Sequence, residues 1–314
     1  MSTRPPLLFR WIRALKIPGW PKVLVPALFG QALAFTYAGH IDWGIFGAGL
    51  FYAALLTAWI VLLNDWADRE IDGIKRHLFP HRGSAKTIYD GLISPRALLV
   101  GAGCAGLGAA ATGLLGEPLY RSFFLPLAIV LLVFLPLYSL PPFRLNYRGG
   151  GELLEAAGVG FVLPAAQFLF QSNAPLLPGA GVMLLAYTIL ALGSALASGM
   201  ADEGSDRIGG KRTVATIWGT RITAIGATAC FIISLPVWIL GALSPDVFAS
   251  TPIAVRLTPA VILLVGGLLL LKRLPSGPAD RPGIARFKQH YHRFQWGTGL
   301  LYAALFAYEG LYAT

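Results

Sequence analysis

Charge is scarce in this chain. Asp, Glu, Lys and Arg make up 13% of its 314 residues, against roughly 25% in soluble domains. Acids are the scarcer sign, with 15 Asp and Glu against 25 Lys and Arg and a formal net charge of +10. So few charges cannot clothe a soluble surface, although the length alone would permit one or two soluble domains. Cysteine is nearly absent. Cys104 and Cys230 lie in apolar runs without CxxC spacing, which excludes a disulfide framework and a zinc site. The basic excess is not gathered into a domain, which excludes a nucleic-acid site and suits basic loops beside anionic lipid head groups. The opening Met1–Trp20 has neither a continuous short apolar region nor a small-residue cleavage site, so no signal peptide is expected.

Oily sequence is what is there instead. Hydrophobic residues reach 55% and the mean hydropathy is +0.64. Several runs attain the ~20 residues that span hydrocarbon. They predict nine transmembrane helices, at 20–39, 44–66, 96–116, 121–140, 152–171, 179–201, 220–242, 253–272 and 294–313. The expected architecture is an all-α polytopic membrane protein, a single domain over 1–314 whose helices bundle around a central cavity open to the membrane. The 37 Gly and 22 Pro are compatible with membrane helices, where Gly allows close contact. Before the first span, Leu8, Trp11, Ile12 and Leu15 share one helical face and Arg10, Arg13 and Lys16 lie off it. Residues 1–18 therefore predict a short interfacial helix.

With nine spans, every Lys and Arg except Arg121 and Arg256 falls on the side of the N-terminus. The positive-inside rule makes that side cytoplasmic. A wrong span count would scramble this asymmetry. A multi-pass protein of a bacterial inner membrane, working at its cytoplasmic side, is expected.

The informative acids stand at the ends of two spans. In "VLLNDWADREIDGIKR" (Val61–Arg76), Asp65, Asp68 and Asp72 are spaced i, i+3, i+7, within about 60° of one helix face. Asn64 flanks them. In "SGMADEGSDRIGGKRT" (Ser198–Thr213), Asp202 and Asp206 are i, i+4, and Gly209, Gly210, Lys211 and Arg212 follow. Ionisable residues at membrane depth are functional candidates by default. The clusters share one predicted depth, four helices apart, which hints at a duplicated four-helix unit. Solvated helix-end charges explain one such cluster better than function does, but two phased clusters beside cations point to a ligand. Carboxylates suit Mg²⁺, and Mg²⁺ can bridge them to a diphosphate. Arg76, Arg82, Lys86, Lys211 and Arg212 are the available cations. An apolar cavity around such a head group suits a lipid diphosphate. His77 and His81 read as interfacial loop residues.

"NDWADREID" and "DEGSDRIGGKRT", with "LYSLPPFRLNYRGGGE" (Leu137–Glu152), the opening "LKIPGWPKVLVPALFGQALA" and the nine-span count, resemble the UbiA superfamily of intramembrane prenyltransferases over nearly the whole chain. The resemblance implies Mg²⁺ held by Asn64, Asp65, Asp68, Asp72, Asp202 and Asp206. It implies Lys211 and Arg212 on diphosphate oxygens, with Tyr138 and Arg144 near the leaving group. The implied reaction moves an isoprenyl group from a prenyl diphosphate to a lipophilic or aromatic acceptor through an allylic cation, in a pocket that excludes water. Trp66 and Tyr89 are candidate lining residues. "YRGGGE" is similar to the naphthoate-prenylating branch, with Glu152 and Glu155 at the mouth of span five. "NDWADREID" is more similar to the branches that prenylate chlorophyllides or elongate carotenoids. Two other readings stay open: a cyclase that acts on the diphosphate without acceptor, and a cation-coupled transporter, against which the helix-end position of the acids speaks.

Overall fold

The computed structural model describes residues 5–78, 85–115 and 123–312. Among them the chain is all-helical. A short amphipathic α1 (Leu7–Ala14) precedes α2 (Pro21–Ala38), α3 (Trp43–Ala67) and α4 (Arg69–Leu78). Next come α5 (Pro95–Thr112), α6 (Phe124–Ser139), α7 (Leu145–Arg148), α8 (Gly151–Ala157) and α9 (Leu163–Ser172). The long α10 (Pro178–Ile208), α11 (Val214–Ala242), α12 (Ile253–Leu271) and α13 (Arg281–Tyr312) complete the bundle. Five described helical stretches are long and apolar enough to cross a membrane: α3, α8 through α9, α10, α11 and α12. The chain is a multi-pass integral membrane protein, and its outward faces carry large apolar side chains such as Phe51, Leu107, Ile233 and Val261.

Local chemistry fixes the helix ends. Asp42 caps α3 by accepting from the Ile45 amide at 3.1 Å, and Ser94 caps α5 from the Ala97 amide at 3.3 Å, each satisfying an orphan donor. Thr213 and Thr216 form a reciprocal capping box at the start of α11. Gly219, at φ 80° and ψ 164°, interrupts α11 after its first turn, a conformation open almost only to glycine. A π-helical turn at Gly158–Val162 separates α8 from α9.

Two aromatic cores hold the helices. One joins α2, α10, α11 and α13 through Phe29, Tyr187, Trp238, Tyr302 and Phe306, with Trp238 stacked on Tyr302 at 4.5 Å. The other joins α3, α6 and α9 through Tyr52, Phe124 and Phe170, the last two stacked at 4.0 Å. Backbones approach closely where side chains vanish: a Cβ on Gly30 of α2 would lie 2.1 Å from the Pro164 carbonyl oxygen of α9.

The expected spans meet these helices with three differences. The sixth runs on to Ile208, beyond its expected end at 201, so Asp202 and Asp206 stand on the helix that their i, i+4 spacing implied. The last begins at Arg281, because its first turns carry charges that no apolar run reveals. The helix through the first acid cluster does not continue unbroken: α3 ends at Ala67, Asp68 sits at φ −91° and ψ 10°, and α4 restarts at Arg69. Backbone bonds from Asp68 to Asn64 and from Asp72 to Asp68, both 2.8 Å, carry the spacing across the bend. Arg82, His81 and Arg121 lie outside the described residues.

Candidate functional site

A chamber of about 630 Å³ opens where α3, α4, α8 and α10 end. Its inner wall is apolar, built by Val23, Leu56, Ile60, Leu131, Phe134 and Leu135, and its mouth is charged. Asn64, Asp68 and Asp72 line the mouth from one side, Asp202 and Asp206 from the other. The two acid clusters therefore meet at one end of one cavity. Asp65 stands just behind the wall, 3% exposed, and accepts from the Thr87 hydroxyl at 2.5 Å.

Each acid faces a lysine. Lys16 pairs with Asp65, Lys86 with Asp72 and Lys75 with Asp202. Lys211 bridges the clusters, with Nζ 2.7 Å from Asp68 Oδ2 and 3.9 Å from Asp206 Oδ1. Its position follows from the glycines before it: Gly210 turns through φ 76°, and the Lys211 amide returns to the Asp206 carbonyl at 2.8 Å, an ending that only a residue without Cβ adopts freely. Asn64 Nδ2 donates to Asp68 Oδ2 at 3.2 Å.

Charge neighbours and burial set the titrations here. Burial raises Asp72 above the usual carboxylate range, against the pull of Lys86. Burial, with Lys86 and Lys288 nearby, brings Lys75 down to about 7. For Lys211 burial works downward, but Asp68 and Asp206 outweigh it and raise the ammonium above its ordinary value.

The remaining candidates scatter. Tyr138 lines the chamber. Arg76 does not: its guanidinium holds Asp90 at 2.9 and 2.6 Å, bracing the 85–94 loop that delivers Lys86 and Thr87. Arg144 is exposed and lies over the Tyr147 ring at 4.6 Å. Arg212 is exposed, and its backbone amide binds the Asn146 carbonyl at 3.2 Å. None of these three arginines lines the chamber. Trp66 lies under Arg69 at 5.0 Å and Tyr89 is 54% exposed, so neither lines it. His77 is exposed. Glu152 lines the chamber and caps α11 through the Val214 amide at 2.8 Å.

Sequence reading missed Lys16, Lys75 and Thr87, whose partners lie 49, 127 and 22 residues away. It also missed Lys22, Lys288 and His292 in the lining. The spacing of Lys288, His292 and Trp296 was the available signal.

Carboxylates and an amide form an all-oxygen donor set that fits Mg²⁺. As they stand, the acids are turned to lysines, and among the described residues no three His, Cys, Asp or Glu converge as a ligand group. The four ammoniums mark the places where positive charge is held.

Residues 23–282 match the model of the UbiA prenyltransferase family. The chain belongs to that family. It is 31% identical over 177 residues to 2-carboxy-1,4-naphthoquinone phytyltransferase of Synechocystis sp., covering 55% of this chain and 54% of that one. It is 32% identical over 171 residues to the chloroplastic chlorophyll synthase of Arabidopsis thaliana, covering 52% and 41%. The chain thus spans about half the length of the curated relatives it matches. Among solved structures, a UbiA homolog from Archaeoglobus fulgidus bound to GPP and Mg²⁺ superposes with a TM-score of 0.67 at 16% identity, over 94% of this chain and 99% of that one. A digeranylgeranylglyceryl phosphate synthase superposes at 0.63 and 14% identity, over 97% and 99%. At such identities these two establish the fold alone.

Proposed function

We propose that the protein transfers an isoprenyl group from a prenyl diphosphate to a lipophilic or aromatic acceptor, as nine spans of one domain with the chamber mouth at the cytoplasmic face of a bacterial inner membrane. The observation that carries the reading is the meeting of both acid clusters, with four lysines between them, at the mouth of a cavity whose inner wall is apolar.

Asn64, Asp68, Asp72, Asp202 and Asp206, with Asp65 behind them, would hold Mg²⁺. When bound, Mg²⁺ supplies positive charge that stabilises the departing diphosphate. Lys211, Lys75 and Lys86 are within reach of the same mouth and add cationic donors for diphosphate oxygens. The prenyl tail lies along Leu56, Ile60, Leu131 and Leu135, and the aromatic faces of Phe134 and Tyr138 flank the ionising carbon. As the C–O bond breaks, its electron pair leaves with the diphosphate. The apolar wall keeps water from the allylic cation until the acceptor attacks, forming the new bond to the prenyl carbon and giving up a proton. The likeness to relatives named for naphthoquinone and chlorophyll chemistry supports an aromatic acceptor.

The test is purified protein in nanodiscs with Mg²⁺, a panel of prenyl diphosphates and a panel of aromatic acceptors. Diphosphate release that needs Mg²⁺ and acceptor, with an alkylated product, is the expected result. A hydrocarbon or terpene alcohol formed without acceptor would make the protein a cyclase. Ion flux without any covalent product would make it a transporter.

A further inference from the structure

Helix α1 is too short to cross a bilayer, yet it turns large apolar side chains outward. Leu8, Phe9 and Ile12 are 72, 51 and 47% exposed and fall within about 100° of its circumference. Arg13, also exposed, lies about 40° beyond that arc, and Arg10 about 60° further. The opposite face is packed. Ala14 is buried in one cluster with Leu98 and Ala102 of α5. Trp11 covers Gly101 of α5, where a Cβ would come within 2.8 Å of its ring. Arg10 Nη1 donates to the neutral Leu92 carbonyl at 3.2 Å, and its Nε is buried without a partner. Among the described residues no carboxylate forms an ion pair with Arg10 or Arg13. The Arg13 charge reaches Asp90, but Arg76 makes the bonds to it.

An exposed apolar arc flanked by cations without carboxylate partners fits one surface, the interface of an anionic bilayer. There apolar groups sink to the acyl boundary and cations meet phosphates. The arc also adjoins surface of the same kind, because α1 leans on α5 at Gly101, next to the exposed Leu99 and Val100. The other end of α1 reaches the chamber. Trp20 Nε1 donates to the Leu15 carbonyl at 2.7 Å, and Lys16 takes the left-handed φ 49° and ψ 46°. Two residues past the helix, the Lys16 ammonium thus lines the mouth and pairs with Asp65. We propose that α1 docks its Leu8, Phe9 and Ile12 arc on the anionic surface of the bilayer, with Arg10 and Arg13 supplying the charge, and that this seating fixes Lys16 at the mouth. Membrane charge is thereby felt where the diphosphate binds. The docking follows from α1 alone, and its effect at the mouth rests on the donor reading above.

The full chain is placed in nanodiscs of zwitterionic lipid, with and without about one-third phosphatidylglycerol. A nitroxide at Ile12→Cys, in a Cys104→Ala, Cys230→Ala background, reports depth by its collisions with oxygen and with a water-soluble nickel complex. Leu107→Cys on α5 and Glu70→Cys on α4, where the side chain is 86% exposed, give the lipid and water references. In anionic discs the Ile12 label is expected at the acyl boundary, nearer the Leu107 reference. Arg13→Gln should lower the ratio of seated to free label about fivefold, the scale of one surface cation. Zwitterionic lipid should lower it at least as far. A label at the depth of Glu70 in anionic discs overturns the docking, and so does seating indifferent to lipid charge and to Arg13. Dipolar broadening between labels on two chains would give the arc to a second copy instead. The effect at the mouth is read by titrating the slow-reacting thiolodiphosphate analogue of geranyl diphosphate, with Mg²⁺, into anionic discs. Leu8→Gln with Ile12→Gln should weaken its binding about fivefold, Lys16→Met about as much, and all three together no more than Lys16→Met alone. Lys16→Arg should retain most of the affinity, which guards against misfolding. Additive losses, or no loss on unseating α1, overturn the link to Lys16. A wild type that binds no analogue defeats the donor reading and that link together, and leaves the label depth to decide the docking.

Discussion

Lys211→Met tests how the two acid clusters are held together. Methionine keeps the length and volume of the side chain and removes the charge. The ammonium lies 2.7 Å from Asp68 and 3.9 Å from Asp206, and the three side chains are 8%, 13% and 9% exposed. At an effective dielectric of about 20, one unit pair about 4 Å apart is worth about 4 kcal/mol before desolvation is subtracted. Removing one partner leaves two buried carboxylates facing each other, which typically costs about 3–5 kcal/mol. The expected loss is about 3 kcal/mol, because the mouth admits some water. Reversible unfolding in mixed micelles, followed by tryptophan fluorescence with chelator present, measures it. Asp68→Asn in the Lys211→Met background should recover about 2 kcal/mol, read as a double-mutant coupling. The same variant should raise KM for the prenyl diphosphate more than for the acceptor. A single-variant loss below about 0.5 kcal/mol, or strict additivity of the two substitutions, would refute the bridging role.

Three further outcomes are expected. Lys75 carries a proton below about 7 and loses it above, so its attraction for a diphosphate is present at low pH and lost as pH rises. The profile of kcat/KM for the donor should therefore fall through that value, and Lys75→Arg, which does not titrate, should remove that limb. Asp68→Asn, Asp202→Asn and Asp206→Asn should each abolish nearly all diphosphate release while the protein remains monodisperse in detergent; near-normal turnover in all three would defeat the metal assignment. Gly30→Ala drives a Cβ to 2.1 Å from the Pro164 carbonyl and should cost about 1–3 kcal/mol of stability, whereas Gly47→Ala, with nothing within 4 Å, should be silent in the same thermal assay.

What could be read from residues alone followed from local rules. Helical spacing joined Asp65 to Asp68 and Asp202 to Asp206, and apolar runs outlined most helices. Gly209 and Gly210 were visible before Lys211, but the turn that brings its side chain back belongs to the fold. What could not be read depended on contacts far apart in the chain. Nothing local ties Lys75 to Asp202, 127 residues on, or Lys211 to Asp68, 143 residues away. The arginines misled for the opposite reason, because each has a partner close by in the chain. Arg76 and Arg144 stand beside the motifs, yet Asp90 and the Tyr147 ring lie nearer to hand. Charged first turns hid the start of α13, because hydropathy marks where a helix is oily and not where it begins.

The lysine–aspartate pairs at the chamber mouth carry a consequence for how the molecule is made and filled. Five bare carboxylates in an oily vestibule would resist insertion and repel one another. The chain instead brings its own counterions, from the segment before α2, from α4, from the 85–94 loop and from the turn after α10. Each carboxylate at the mouth thus has a counterion from the chain itself, which offsets part of the cost of burying it. A cation that binds at the mouth competes with these ammoniums for the same carboxylate oxygens.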